Sequence, residues 1–158
     1  MAKISHLQNQ LIKSARSWAF KQKHDPSLAR KLRREAILLN HAHYLKNIPL
    51  YRQLAEEEGI DEKTDLEVIA NKLMLSDDIF KSYSQQWLDN KDFTRMSHWL
   101  SSLFHRQIDI REAGSIDEWL DSLSENGIRV SFSSGTSGSF SFIPREESDW
   151  EAAKTANI

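Results

Sequence analysis

Apolar residues recur at helical spacing along the first two thirds of this chain and at strand spacing near its end. Ile4, Leu7, Leu11, Ala15 and Trp18 fall on one face, which predicts an amphipathic helix over residues 3–22. Asp25-Pro26 reads as an N-cap followed by proline at the first helical position. The helix it opens runs to about Lys46, with Leu28, Leu32, Ala36 and Leu39 sharing a face. Pro49 disfavours helical geometry at Ile48, so the chain breaks there and restarts as a short helix over residues 50–58, closed by Gly59. Thr64 and Glu67 have capping-box spacing and open a helix through Leu73. Further helices are expected over residues 76–88 and 92–105, the latter with Phe93, Met96, Leu100 and Leu103 as a buried stripe. A first short strand is expected over residues 107–111. Ser115 and Glu118 form a second capping box, opening a helix that turns Ile116, Trp119, Leu120 and Leu123 inward and ends at Gly127.

The period then changes. Ile128, Val130 and Phe132 alternate with Arg129, Ser131 and Ser133, the signature of a strand with one apolar face. Ser133-Ser134-Gly135-Thr136-Ser137-Gly138-Ser139 follows, and apolar residues resume at Phe140, Phe142 and Ile143 before Pro144. Gly135 and Gly138 open backbone conformations closed to other residues, so successive N–H groups can converge on one concavity. The hydroxyls of Ser133, Ser134, Thr136, Ser137 and Ser139 add donors around it. Many donors without acidic competition suit a polyphosphate. A flexible Ser/Gly linker shares this composition, but apolar strands on both sides favour a built loop. The pattern is not the nucleoside-triphosphatase P-loop, since G-x-x-x-x-G-K-[ST] is absent. Beyond Pro144, Glu146, Glu147 and Asp149 suit the first turn of a final helix.

Composition adds mainly exclusions. A chain of 158 residues is long enough for one domain with a real core. A formal charge of −2 produces no field favouring nucleic acid or an anionic membrane. Zero cysteines exclude disulfides, Fe–S clusters and thiolate zinc sites. The opening residues lack the apolar stretch of a signal peptide, and no window approaches the roughly 18 apolar residues of a membrane helix. A cytoplasmic protein without a membrane span is the expectation.

Ser133-Ser134-Gly135-Thr136-Ser137-Gly138 resembles the phosphate loop of the adenylate-forming ligase superfamily, most closely its phenylacetate–CoA ligases and the acyl-protein synthetases of bacterial luciferase systems. Ile48-Pro49-Leu50-Tyr51-Arg52 with Gly59-Ile60-Asp61, and Ile79-Phe80-Lys81-Ser82-Tyr83, resemble upstream segments of the same branch. The resemblance spans about residues 48–150. It implies an enzyme that uses ATP and Mg²⁺ to activate a carboxylic acid, fatty or aryl, as acyl-AMP for transfer to coenzyme A or a protein thiol. In that setting Ser134, Gly135, Thr136, Ser137 and Gly138 close over the β- and γ-phosphates. Ser139 departs from the family, where many members carry lysine or arginine. Arg145 could replace that charge only if the second strand turned back toward the loop.

The fold expected is therefore α-rich α/β: a helical region over residues 1–112, then the first strands of a ligase sheet over residues 113–158. The resemblance places the family's adenine-binding motifs and catalytic lysine outside this chain, so the catalytic residues stay unknown. The chain reads as the N-terminal piece of a larger ligase and is expected to be inactive alone. The rival reading is a non-catalytic helical interaction module with a Ser/Gly tether; a third is a regulator that binds phosphate or nucleotide without turnover. Other residues read as structural. His41 and His43 lie on nearly opposite helix faces, and His98 and His105 stand two turns apart, about 10.5 Å, too far for one ion. Arg30, Lys31, Arg33 and Arg34 read as a solvated face, Lys81 as a surface lysine, and Trp87, Trp99, Trp119 and Trp150 as packing residues.

Overall fold

The computed structural model describes residues 2–73, 79–110, 112–134 and 140–156. Eight helices and one two-stranded sheet follow in chain order among them: α1 (Ala2–Ala19), α2 (Pro26–Asn47), α3 (Pro49–Glu57), α4 (Leu66–Lys72), a 3₁₀ turn (Ile79–Lys81), α5 (Gln85–Asp89), α6 (Phe93–Ser102), α7 (Ile116–Glu125), β1 (Ile128–Ser134), β2 (Phe140–Glu146) and α8 (Glu147–Ala156). The protein is helix-rich with a small antiparallel sheet, and no helix among the described residues is long and apolar enough to cross a membrane.

The local signals act as their chemistry requires. The Asp25 carboxylate accepts from the Ser27 and Leu28 amides at 2.9 and 3.3 Å, satisfying two first-turn donors of α2. Ser115 Oγ accepts from the Glu118 amide at 3.2 Å, while Glu118 reaches back to the Gly114 amide at 2.7 Å, one residue outside the usual box. Gly127 takes φ 72°, the left-handed turn that ends α7 and points the chain into β1.

Three expectations change. Thr64 does not cap α4: its hydroxyl bonds the Asp61 carboxylate at 2.9 Å and accepts from the Asp61 amide at 2.9 Å, closing the preceding turn, and Asp65 takes the N-cap position. The helix expected over 76–88 is, in its described part, a 3₁₀ turn and the short α5, separated by Ser82–Ser84; residues 74–78 lie outside the described residues. Residues 107–110 form no strand. Ser101 Oγ accepts from the Ile108 amide at 2.8 Å and Ser97 Oγ donates to the Ile110 carbonyl at 3.2 Å, so serines of α6 replace a neighbouring strand while Ile108 and Ile110 stay buried.

The principal core joins Tyr83, Phe93, Met96, Leu100, Leu103, Phe104, Ile108, Ile110, Trp119, Leu123, Ile128 and Phe142. It draws on both sides of residue 112, so apolar packing is continuous across the expected boundary. Trp119 stacks on Phe93 with centroids 5.7 Å apart and meets Phe142 edge-on at 5.6 Å; its indole N–H donates to Ser97 Oγ at 2.9 Å. The Phe93, Met96, Leu100 and Leu103 stripe lies in this core as its spacing predicts. A second, smaller cluster packs Ala55, Ile60 and Ile69 with Leu38, Leu45 and Leu73. Trp18 is an exception to the amphipathic reading of α1, where Leu7 is buried but Trp18 is 70% exposed.

Candidate functional site

The hairpin is the element on which the predicted site depends. β1 and β2 pair antiparallel from Ile128↔Glu146 to Ser134↔Phe140. One face carries Ile128, Val130 and Phe132 opposite Glu146, Pro144 and Phe142, with Ile128 and Phe142 in the core. Pro144 has no N–H to give to the ladder, so it belongs at an outward-facing position of the outer strand. Phe140 shares its parity, and its carbonyl accepts from the Tyr83 hydroxyl at 3.0 Å from outside the hairpin. The Phe80-Lys81-Ser82-Tyr83 segment is thereby fixed beside the first residue after the loop. Ser82 supports it, accepting from the Trp99 indole at 3.0 Å and donating to the Ile79 carbonyl at 2.8 Å.

Of the loop residues read from sequence, Ser133 and Ser134 are the last two residues of β1. Gly135, Thr136, Ser137, Gly138 and Ser139 lie outside the described residues. Ser133 Oγ and Ser141 Oγ are 2.8 Å apart across the ladder. One proton serves that bond, so the pair retains one hydroxyl donor for a third group. Ser141 was not singled out in the sequence; its position eight residues from Ser133 acquires meaning only once the register is known. Arg145 stands near the end of β2 opposite Phe140, the first described residue after the loop. β2 continues to Glu146 without turning back, which puts Arg145 about 17 Å along the strand from Phe140 at the usual antiparallel rise.

Arg145 instead lines a cleft of about 750 Å³ between α2–α3 and the far end of the hairpin. Ile48, Leu50 and Leu54 form one wall, Phe80, Leu103 and Phe104 another, and Tyr44, Tyr51, His43, His105, Glu146 and Asp149 supply polar groups. Glu146 is engaged by Arg106 at 3.0 Å and His105 at 3.1 Å. Burial raises the Tyr44 pKa above its ordinary value, with nearby Asp149 adding to the rise and Arg145 opposing it. Burial likewise raises that of Tyr51. Both therefore stay protonated phenols at neutral pH.

His41, read from sequence as ordinary, is a buried latch behind this wall. Its Nε2 lies 2.9 Å from the Asp61 carbonyl and must donate there, so in the neutral ring Nδ1 accepts from the Tyr51 hydroxyl at 2.8 Å. Arg52 adds bonds to the Leu45 and Lys46 carbonyls at 2.8 and 2.7 Å, closing the α2–α3 break. The basic cluster at Arg30, Lys31, Arg33 and Arg34 is exposed as expected, with Arg34 3.4 Å from Asp65. Among the described residues no group of three or more His, Asp or Glu side chains is placed to hold a metal ion. No family model, curated protein or solved structure matches the chain.

Proposed function

We propose that this chain is the N-terminal portion of an ATP-dependent adenylate-forming ligase, in which the 133–139 loop receives the ATP β- and γ-phosphates during activation of a carboxylic acid. The acid is fatty or aryl, and the acceptor is coenzyme A or a protein thiol. The observation that carries the reading is the hairpin: strands of equal length frame the Ser/Gly loop and hold its two ends side by side, which a tether does not need. The Tyr83–Phe140 bond supports it further, because two segments that carry the resemblance meet at the loop's exit. Within this reading the loop's N–H and hydroxyl groups stabilise charge on the departing pyrophosphate, with bound Mg²⁺ sharing that charge. Ser133 and Ser141 contribute their one spare donor at the loop's base.

ATP–pyrophosphate exchange on the longest native reading frame, with a panel of fatty and aryl acids, tests the proposal. Exchange that depends on acid is expected, and Gly135→Val or Gly138→Val should abolish it while the helical signal by circular dichroism is retained. Unchanged exchange in both variants would return the segment to a tether. The interaction-module reading draws its support from the exposed Trp18 and Phe20 at the end of α1. It predicts no exchange at all.

A further inference from the structure

The cleft at the far end of β2 holds two uncommitted charges of opposite sign. Arg145 stands directly across the ladder from Arg129, a pairing of like charges that ordinarily destabilises a sheet. Arg129 is compensated, since its guanidinium bonds the Glu147 carboxylate and donates to Ser124 Oγ at 2.7 Å. The Arg145 guanidinium has no ion pair or hydrogen bond with another described residue; strand alternation turns the neighbouring Glu146 to the opposite face, where it meets Arg106 and His105. Asp149 lines the same cleft, also without such a partner among the described residues, and the two do not approach within the 4 Å of an ion pair. The first turn of α8 accounts for an acidic residue at 149 through the helix dipole. It gives no reason for a cation at 145. Both charges lie near enough to Tyr44 to act on its hydroxyl, in a cleft whose other walls combine apolar side chains with His43, His105 and Glu146, and a volume near 750 Å³ is that of a small-molecule site.

We propose that this cleft binds a small zwitterion with an apolar body, an α-amino acid bearing a large apolar side chain, its carboxylate on Arg145, its ammonium on Asp149 and its side chain among Leu50, Leu54, Phe80 and Phe104. A simple anion would pair with Arg145 alone and a simple cation with Asp149 alone, whereas a ligand carrying both charges pairs with both. The site is about 17 Å along β2 from the loop and does not rest on the ligase reading.

Titration calorimetry on the full chain tests this with L-phenylalanine, 3-phenylpropanoate and phenethylamine, the last two each lacking one charge. Phenylalanine is expected to bind with a dissociation constant below about 1 mM. Each analogue should bind at least about tenfold more weakly, because it leaves one charged group of the site unpaired. Arg145→Gln and Asp149→Asn alter exposed side chains, so both variants should fold; each should weaken phenylalanine about tenfold. Asp149→Asn should leave 3-phenylpropanoate unweakened, which a merely structural effect on α8 would not do. Three results would overturn the proposal: no saturable binding of phenylalanine, 3-phenylpropanoate binding as tightly as phenylalanine, or phenethylamine doing so.

Discussion

Between Ile79 and Glu146 the chain buries rings. Trp119 and Phe142 are fully enclosed, Phe93 stacks against the first, and Tyr83 and Trp99 meet the second edge-on at 5.5 and 6.4 Å. Between Pro26 and Leu73 the chain buries less and smaller side chains: Ala29, Leu32, His41, Ala55, Ile60 and Ile69, with half-buried leucines around the last three. That region is joined instead by directed bonds, His41 to Tyr51 and Asp61, Arg52 to two carbonyls, and Lys72 to the Glu58 carbonyl at 3.0 Å. Leu28 and Ile37 of α2 stay exposed, as do Trp18 and Phe20 beyond the last buried residue of α1. Area buried is roughly proportional to stabilisation, whereas each neutral hydrogen bond adds only about 0.5–1.5 kcal/mol net. The hairpin is therefore mounted on the more stable body, and the helical wall of the cleft belongs to the part that opens more readily.

The comparison breaks most directly at Trp119. Trp119→Ala should cost about 3–5 kcal/mol, since it empties the centre of the ring cluster and strips Ser97 of its indole donor. Urea denaturation followed by far-UV circular dichroism should show the midpoint fall for the whole chain, with the hairpin lost in the same transition. Ile69→Ala is expected to cost about 2–3 kcal/mol, the lower part of the usual range, because a cluster bordered by half-buried leucines can relax into the gap. Its effect should concentrate in the α2–α4 amides by hydrogen exchange. Equal loosening of α6 and α7 would show that the two regions fold as one cooperative unit.

His41→Leu sharpens the same boundary with a smaller effect, about 1–2 kcal/mol, because the Asp61 carbonyl loses its donor while the Tyr51 hydroxyl can turn to water in the cleft. Exchange protection should fall around Asp61 and in α3 and leave Trp119's neighbours unchanged. His41→Gln, which retains a donor and an acceptor, should recover part of the loss. No recovery would mean that ring packing against Tyr51, not the bonds, holds the latch.

Much of this architecture is legible in the sequence where one residue acts on its own neighbours. Asp25 and Ser115 cap their helices because the groups they satisfy lie two or three residues away, and the α6 stripe is buried because its period is helical. The hairpin follows from alternation before a turn-forming segment and the return of apolar residues after it, and Pro144 sits where an edge strand tolerates it. What escapes is anything decided by a distant partner. Thr64 has capping-box spacing, yet the Asp61 carboxylate competes for its hydroxyl and wins. Residues 107–110 look like a strand but find serine hydroxyls on α6 in place of a ladder. His41 carries no local signal, since Tyr51 and Asp61 stand ten and twenty residues away. For the candidate site, the sequence places the loop between two strands but does not reveal the Ser133–Ser141 pair or the cleft at the opposite end.

The smallest effect concerns acid. The Asp25 pKa lies below the ordinary aspartate value of 3.8, first because Ser27 Oγ donates to its carboxylate and then because the Leu28 and Ser27 amides do. The Asp61 pKa is lowered likewise, first by the Thr64 hydroxyl and then by the Lys63 amide. A carboxylate that binds its proton less tightly in the folded chain stabilises that chain above the unfolded value, and the contribution is lost as pH falls through the lower, folded value. Both residues belong to the helical region. Between pH 7 and about 5 these two carboxylates should therefore add nothing to the pH dependence of exchange. Below 3.8 the Ser27, Leu28 and Lys63 amides should lose protection first, while those of α6 and α7 hold. Asp25→Asn keeps an acceptor for the cap and should remove the pH dependence at Ser27 and Leu28 without removing it at Lys63. Loss of protection in α6 and α7 before α2 would reverse the order of stability argued from the two cores.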